Sequence, residues 1–119
     1  MIFDRRRSKK DAAVQPKKPS RRELAAQVDG TRLALSQFIA AKPGVQAWVE
    51  EATGFNKTSL LLVAGDGEWT RKVVPSEDWA RDFAERAHIT CFTAGIDAYP
   101  QRMRIWDAAH RPHKETNNG

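Results

Sequence analysis

The sequence predicts an α+β domain with its elements in the order α-β-β-β-α-β. An antiparallel three-stranded meander is joined by a fourth strand, and helices pack on the sheet. Three observations predict it. Thr58 to Val74 reads as two β-rich runs about a Gly65-Asp66-Gly67 turn, the pattern of a β-hairpin. Ser20 and Ser76 each open a stretch with apolar residues at helical spacing. Ile89 to Thr93 is a further short run of strand formers beyond the second helical stretch.

Taken in order, residues 1–19 combine high charge, two prolines and few large apolar side chains. Such a segment buries too little surface to offset its ordering entropy, so a disordered basic tail is expected. Ser20 with Glu23 three residues later forms a capping box. Leu24, Val28, Leu35, Phe38 and Ile39 then make one apolar stripe, with Thr31 in its gap. Lys42-Pro43-Gly44 ends the helix, because proline biases its predecessor away from the α region. Val45 to Glu51 alternates as a strand, with Val45, Ala47 and Val49 on one face. In the hairpin, Leu60, Leu62 and Ala64 fall on one face and Leu61 and Val63 on the other. That strand should therefore be central and covered on both sides. Its partner places Trp69, Arg71 and Val73 on a common face. Gly65 and Gly67 are expected to supply positive φ to the turn. Pro75 stops the third strand, and Ser76 caps a helix with Glu77 and Asp78 in its first turn, where the dipole favours negative charge. Trp79, Phe83 and Ala87 are its expected core stripe, and Gly95 and Tyr99-Pro100 bring the fourth strand to an end. Gln101 to His110 reads as a short helix or a segment lying along the body. The division expected is a tail over 1–19, one domain over 20–106 and a flexible polar end over 107–119.

The formal charge is +5 over 119 residues, and it is unevenly spread. Residues 1–22 hold nine Lys/Arg against two Asp, residues 23–100 seven against eleven Asp/Glu, and residues 101–119 four against two. An acidic body with basic ends argues against a nucleic-acid groove across the domain. A tail bearing Arg5, Arg6, Arg7, Lys9, Lys10, Lys17 and Lys18 instead favours polyanions through counterion release. The single cysteine, Cys91, precludes an internal disulfide and suits a reducing compartment, so a cytoplasmic location is expected. No apolar run approaches the roughly 18 residues of a membrane span, and no apolar segment follows the N-terminal arginines as a secretory signal requires.

Several chemistries find little support. His88, Cys91, His110 and His113 pair at two-residue separations, which invites a zinc reading. Yet Cys91 lies inside a strand and the later histidines lie in a tail, whereas structural zinc takes ligands from tight turns. Cys91 lacks a Cys-x-x-Cys partner and reads as a small buried hydrophobe. The only glycine-rich turn leads into a strand rather than a helix, so no dinucleotide or phosphate cradle is present. The element order also matches the core of restriction-endonuclease-like nucleases. Their metal site needs a carboxylate-x-lysine triplet on the third strand, where this chain has Glu68-Trp69-Thr70, with Lys72 too late. No cofactor is implied.

What remains is aromatic and basic. Trp69 and Arg71 share a strand face, and Tyr99, Arg102 and Arg104 cluster after the fourth strand. Arginine beside aromatics suits stacking on bases or anchoring a protein interface. The same residues also suit a plainer role, with indoles in the core and arginines pairing across strands with Glu50, Glu51 and Glu68. The runs Asp66 to Arg71 (Asp-Gly-Glu-Trp-Thr-Arg) and Tyr99 to Arg104 (Tyr-Pro-Gln-Arg-Met-Arg), with Gly44-Val45 before them, resemble a family of small uncharacterised actinobacterial proteins. The resemblance spans residues 20–106. It implies a shared domain and brings an automatic oxidoreductase label, with no catalytic residues to transfer. The leading expectation is a non-enzymatic binding module that contacts RNA, DNA or a ribonucleoprotein through the tail and the Trp69, Arg71, Tyr99, Arg102, Arg104 patch. A small oxidoreductase-like enzyme, and a protein–protein adaptor or homodimer working through an uncovered sheet edge or the Trp48 face, are the alternatives.

Overall fold

A computed structural model describes residues 19–110. Helix α1 (Arg21–Ala41) is followed by strands β1 (Gln46–Glu50), β2 (Ser59–Val63) and β3 (Trp69–Val73). Helix α2 (Glu77–Arg86), strand β4 (Cys91–Thr93) and helix α3 (Gln101–His110) complete the described chain. The expected α+β order is present, with a third helix added. The sheet runs β3-β2-β1-β4. β1, β2 and β3 form an antiparallel meander, while β4 returns parallel to β1 through α2. No helix among the described residues is long and apolar enough to cross a membrane.

The two faces of the sheet are covered differently. Ala47, Val49, Leu60 and Leu62 point to one face, where Leu35 of α1 and Ala80, Phe83 and Ala84 of α2 close over them. Trp48, Leu61 and Val63 point to the other, where Met103 of α3 is their buried partner. All five residues of β2 are buried, as an apolar strand with two helical layers requires. α3 is thus the third layer, and it carries the body past the expected boundary at 106 to His110.

The helix signals act where they stand in the sequence. The Ser20 hydroxyl accepts from the Glu23 N–H at 3.0 Å, and the Glu23 carboxylate accepts from the Ser20 N–H at 2.8 Å. Ser76 likewise accepts from the Trp79 N–H. The apolar stripe of α1 buries only its C-terminal half, because at about 1.5 Å per residue the helix outruns the sheet; Leu24 stays 46% exposed. In α2 the buried core residues are Ala80, Phe83 and Ala84, with the expected Trp79 packed against them and Ala87 outside the contact. Trp79 stacks on Phe83 at the margin with ring centroids 5.6 Å apart, and Ala87 is the C-cap.

Two turns show why particular residues are needed. In the hairpin, Gly67 donates to the Ala64 carbonyl at 2.9 Å and Ala64 donates to Glu68 at 2.8 Å. This is a three-residue loop whose last position needs positive φ. Gly67 has φ +97°, whereas Gly65 has none and serves a close approach instead, its N–H donating to the Pro43 carbonyl at 2.9 Å. At the end of α2, His88 donates to Glu85 and Ile89 donates to Ala84, both at 3.0 Å. That is the Schellman closure, and it holds His88 at φ +60°, a position that favours glycine. His88→Gly is therefore expected to stabilise the protein by about 0.5–1 kcal/mol, read as a higher urea midpoint at unchanged m-value.

Candidate functional site

The polar centre of the molecule is Glu50, at the end of β1 on the α3 face of the sheet. Antiparallel pairing sets it opposite Ser59 of β2, whose own partner on β3 is Val73. Arg71, two residues back along β3, projects to the same face. Its guanidinium clamps the Glu50 carboxylate, with Nε to Oε1 at 2.7 Å and Nη2 to Oε2 at 2.9 Å. The Ser59 hydroxyl donates to Oε1 at 2.6 Å and the Tyr99 hydroxyl to Oε2 at 2.6 Å. Three strands and the loop before α3 thus converge on one carboxylate.

Burial alone would raise the Glu50 carboxyl, but the hydrogen bonds from Arg71, Ser59 and Tyr99 outweigh it and hold the group below its ordinary value of 4.5. Burial, and then the bond to Glu50, push the Tyr99 phenol up. A general acid or base near neutrality needs the opposite tuning of its carboxylate. This network therefore works as a lock that holds a charge fixed. A carboxyl depressed in the folded state stabilises it fully above the ordinary value, and that contribution is lost as pH falls through the lower folded one. Glu50→Gln is expected to lower stability at neutral pH and to flatten the decline between about pH 5 and pH 3, as measured by urea unfolding at stepped pH.

The five residues of the expected patch do not form one surface. Trp69, Arg71 and Tyr99 lie near the lock, with the Arg71 guanidinium 5.2 Å from the Trp69 ring centroid. The Trp69 indole N–H is taken by Asp107 at 2.8 Å. Arg102 stands at the other end of the strands, where Nε donates to the Ala64 carbonyl at 2.8 Å and Nη2 to Gln46 at 2.7 Å. It clamps α3 to the sheet rather than facing a partner. Arg104 is exposed on the outer side of α3 and makes no hydrogen bond or ion pair among the described residues. The tail residues Arg5, Arg6, Arg7, Lys9, Lys10, Lys17 and Lys18 lie outside the described residues.

A second polar group forms where the helix end meets the hairpin. Lys42 pairs with Asp66 and with Glu68, each at 2.7 Å, and its ammonium stands 5.6 Å from the Trp106 ring centroid. Trp106 also stacks on His110 at 3.4 Å between centroids. The Lys42 contacts join residues far apart in sequence, and only the exposed acidic turn hinted at them. Cys91 belongs to the helix-covered face, beside the buried core, and burial pushes its thiol up, away from thiolate chemistry. His88 follows the C-cap of α2, and the His110 Nδ1–H donates to the Trp106 carbonyl at 3.0 Å. Among the described residues no three His, Cys, Asp or Glu side chains gather as a metal site, and His113 lies outside them. Comparison of the chain with protein-family models, with curated proteins and with solved structures finds no match.

Proposed function

We propose that this chain is a non-enzymatic binding module of a reducing compartment such as the cytoplasm. Its basic N-terminal segment contacts RNA, DNA or a ribonucleoprotein. The observation that carries this reading is the segregation of charge. Residues 1–18 hold seven Lys/Arg against two Asp, while residues 19–110 hold eleven against twelve Asp/Glu. A nearly balanced body with a concentrated cationic arm matches non-specific polyanion attraction better than base readout. The half-buried setting of Cys91, with its thiol pushed up, and the locking of Glu50 support the non-enzymatic part, since each group is tuned away from the chemistry an oxidoreductase or hydrolase would ask of it.

Fluorescence anisotropy with a 20-nucleotide single-stranded RNA, titrated across salt, tests the proposal. Binding by the full chain should weaken steeply with salt, at roughly 0.7 in log–log slope per phosphate neutralised. Replacing the seven tail Lys/Arg with Gln should abolish most of that slope. Arg104→Ala, on the outer face of α3, should leave it nearly unchanged. Equal binding by the tail-neutralised chain would refute the reading.

A further inference from the structure

β3 is an edge strand, hydrogen-bonded to β2 on one side only. The direction of its backbone groups follows from two bonds. Val74 donates to the Thr58 carbonyl at 3.0 Å, and at the other end Ala64 donates to Glu68 at 2.8 Å. Residues of an antiparallel strand alternate between facing their neighbour and facing away. Glu68, Thr70, Lys72 and Val74 therefore bond to β2, while Trp69, Arg71 and Val73 turn their N–H and C=O groups outward. Arg71, Lys72 and Val73 are exposed, and Val73, a large aliphatic, is 56% exposed.

Two grooves meet at this edge and share Lys57 and Val73. The larger, about 780 Å³, lies under the overhanging half of α1 between Leu24, Val28 and Thr31 above and Val74 and Pro75 below. Its only ionisable lining groups are Lys57 and Lys72, and neither forms an ion pair among the described residues. The smaller, about 540 Å³, runs past Glu50, Glu51, Thr53, Asn56 and Arg71, so the attraction for carboxylates belongs to the larger. Between Thr53 and Asn56 the loop presents Phe55, 98% exposed.

We infer that the outer edge of β3 accepts an extended peptide segment as a fifth strand, one whose side chains on the α1 side combine aliphatic residues with carboxylates. Strand addition supplies affinity through the outward backbone groups, and alternate side chains enter flanking pockets. The apolar walls under α1 take aliphatic residues, and the two unpaired lysines select carboxylates by charge complementarity. The same lysines disfavour the chain's own basic segment. A second copy paired about the middle of β3 would set Arg71 against Arg71, a repulsive cross-strand pair.

Selection of a displayed random octapeptide library on the full chain, followed by amide exchange with the enriched peptide, tests this inference. Enriched sequences should carry aliphatic residues and Asp or Glu at every second position, on one side of the strand. They should slow exchange at the Trp69, Arg71 and Val73 amides. Lys72→Glu should weaken binding about tenfold by turning attraction into repulsion. Val73→Pro removes an outward donor and no bond to β2, and should abolish binding while the melting curve is retained. If that variant does not fold, the Lys72→Glu comparison decides. The inference is overturned if no peptide is enriched, if enriched peptides are basic, or if they leave the three amides unchanged. It is equally overturned if those amides are already protected in the free chain, either with rising protein concentration or until the tail is neutralised. A failure of RNA binding does not bear on it, since the tail and the β3 edge are tested separately.

Discussion

Gly67→Ala is expected to destabilise the fold by about 3–5 kcal/mol, a large part of the stability of a domain this size. Two penalties combine. Gly67 holds φ +97°, outside even the left-handed well that other residues occasionally visit. A methyl group there would overlap the Arg102 carbonyl oxygen and stand 2.9 Å from the Trp106 Cβ. Because the first obstacle is helix backbone, it is relieved only by lifting α3 from the hairpin. Urea unfolding followed by tryptophan fluorescence reads the loss. Gly30→Ala is the control, since a Cβ at that exposed helical site meets nothing within 4 Å and should stabilise by about 0.5–1 kcal/mol. Loss of less than about 1 kcal/mol at Gly67 would mean that α3 does not seat on the turn.

Arg102→Ala should cost about 2–3 kcal/mol, the range for removing a charged donor from partly buried acceptors. The Ala64 carbonyl and the Gln46 side chain would lose their partner, and α3 its anchor to the β1 and β2 ends. Arg102→Lys should recover little, because one ammonium cannot span both acceptors with the fork of a guanidinium. Arg104→Ala should fall within about 0.5 kcal/mol of the parent. Equal denaturant midpoints for the Arg102 and Arg104 variants would return Arg102 to the surface and restore the patch inferred from sequence.

The fold was readable wherever a local rule decided it. The Ser20–Glu23 box, the proline after Lys42 and the double-faced apolar run of β2 each act within a few residues, and each forms as anticipated. The turn glycines were readable as a pair but not in their separate roles. Positive φ belongs to Gly67, while Gly65 answers to the distant Pro43. The site was harder because its logic lies between elements. Glu50 reads in sequence as one acidic residue beside another, and only the register that brings Ser59 and Arg71 alongside makes it a hub. Arg102 and Arg104 sit two residues apart on a helix, so they point to different sides, one into the sheet and one to solvent. Spacing alone grouped what the helix separates.

The second layer over the sheet has an order of arrival. During synthesis, β1 to β4, α1 and α2 all emerge before α3, so the first apolar face can close while Trp48, Leu61 and Val63 still await Met103. For that interval the nascent chain displays a hydrophobic plane rimmed by indoles, the kind of surface that chaperones and neighbouring nascent chains engage. Stalling translation on a linker fused after residue 100, long enough to clear β4 from the exit tunnel, should therefore give a ribosome-bound species that is partly folded and adhesive, and addition of α3 is the step that ends that vulnerability.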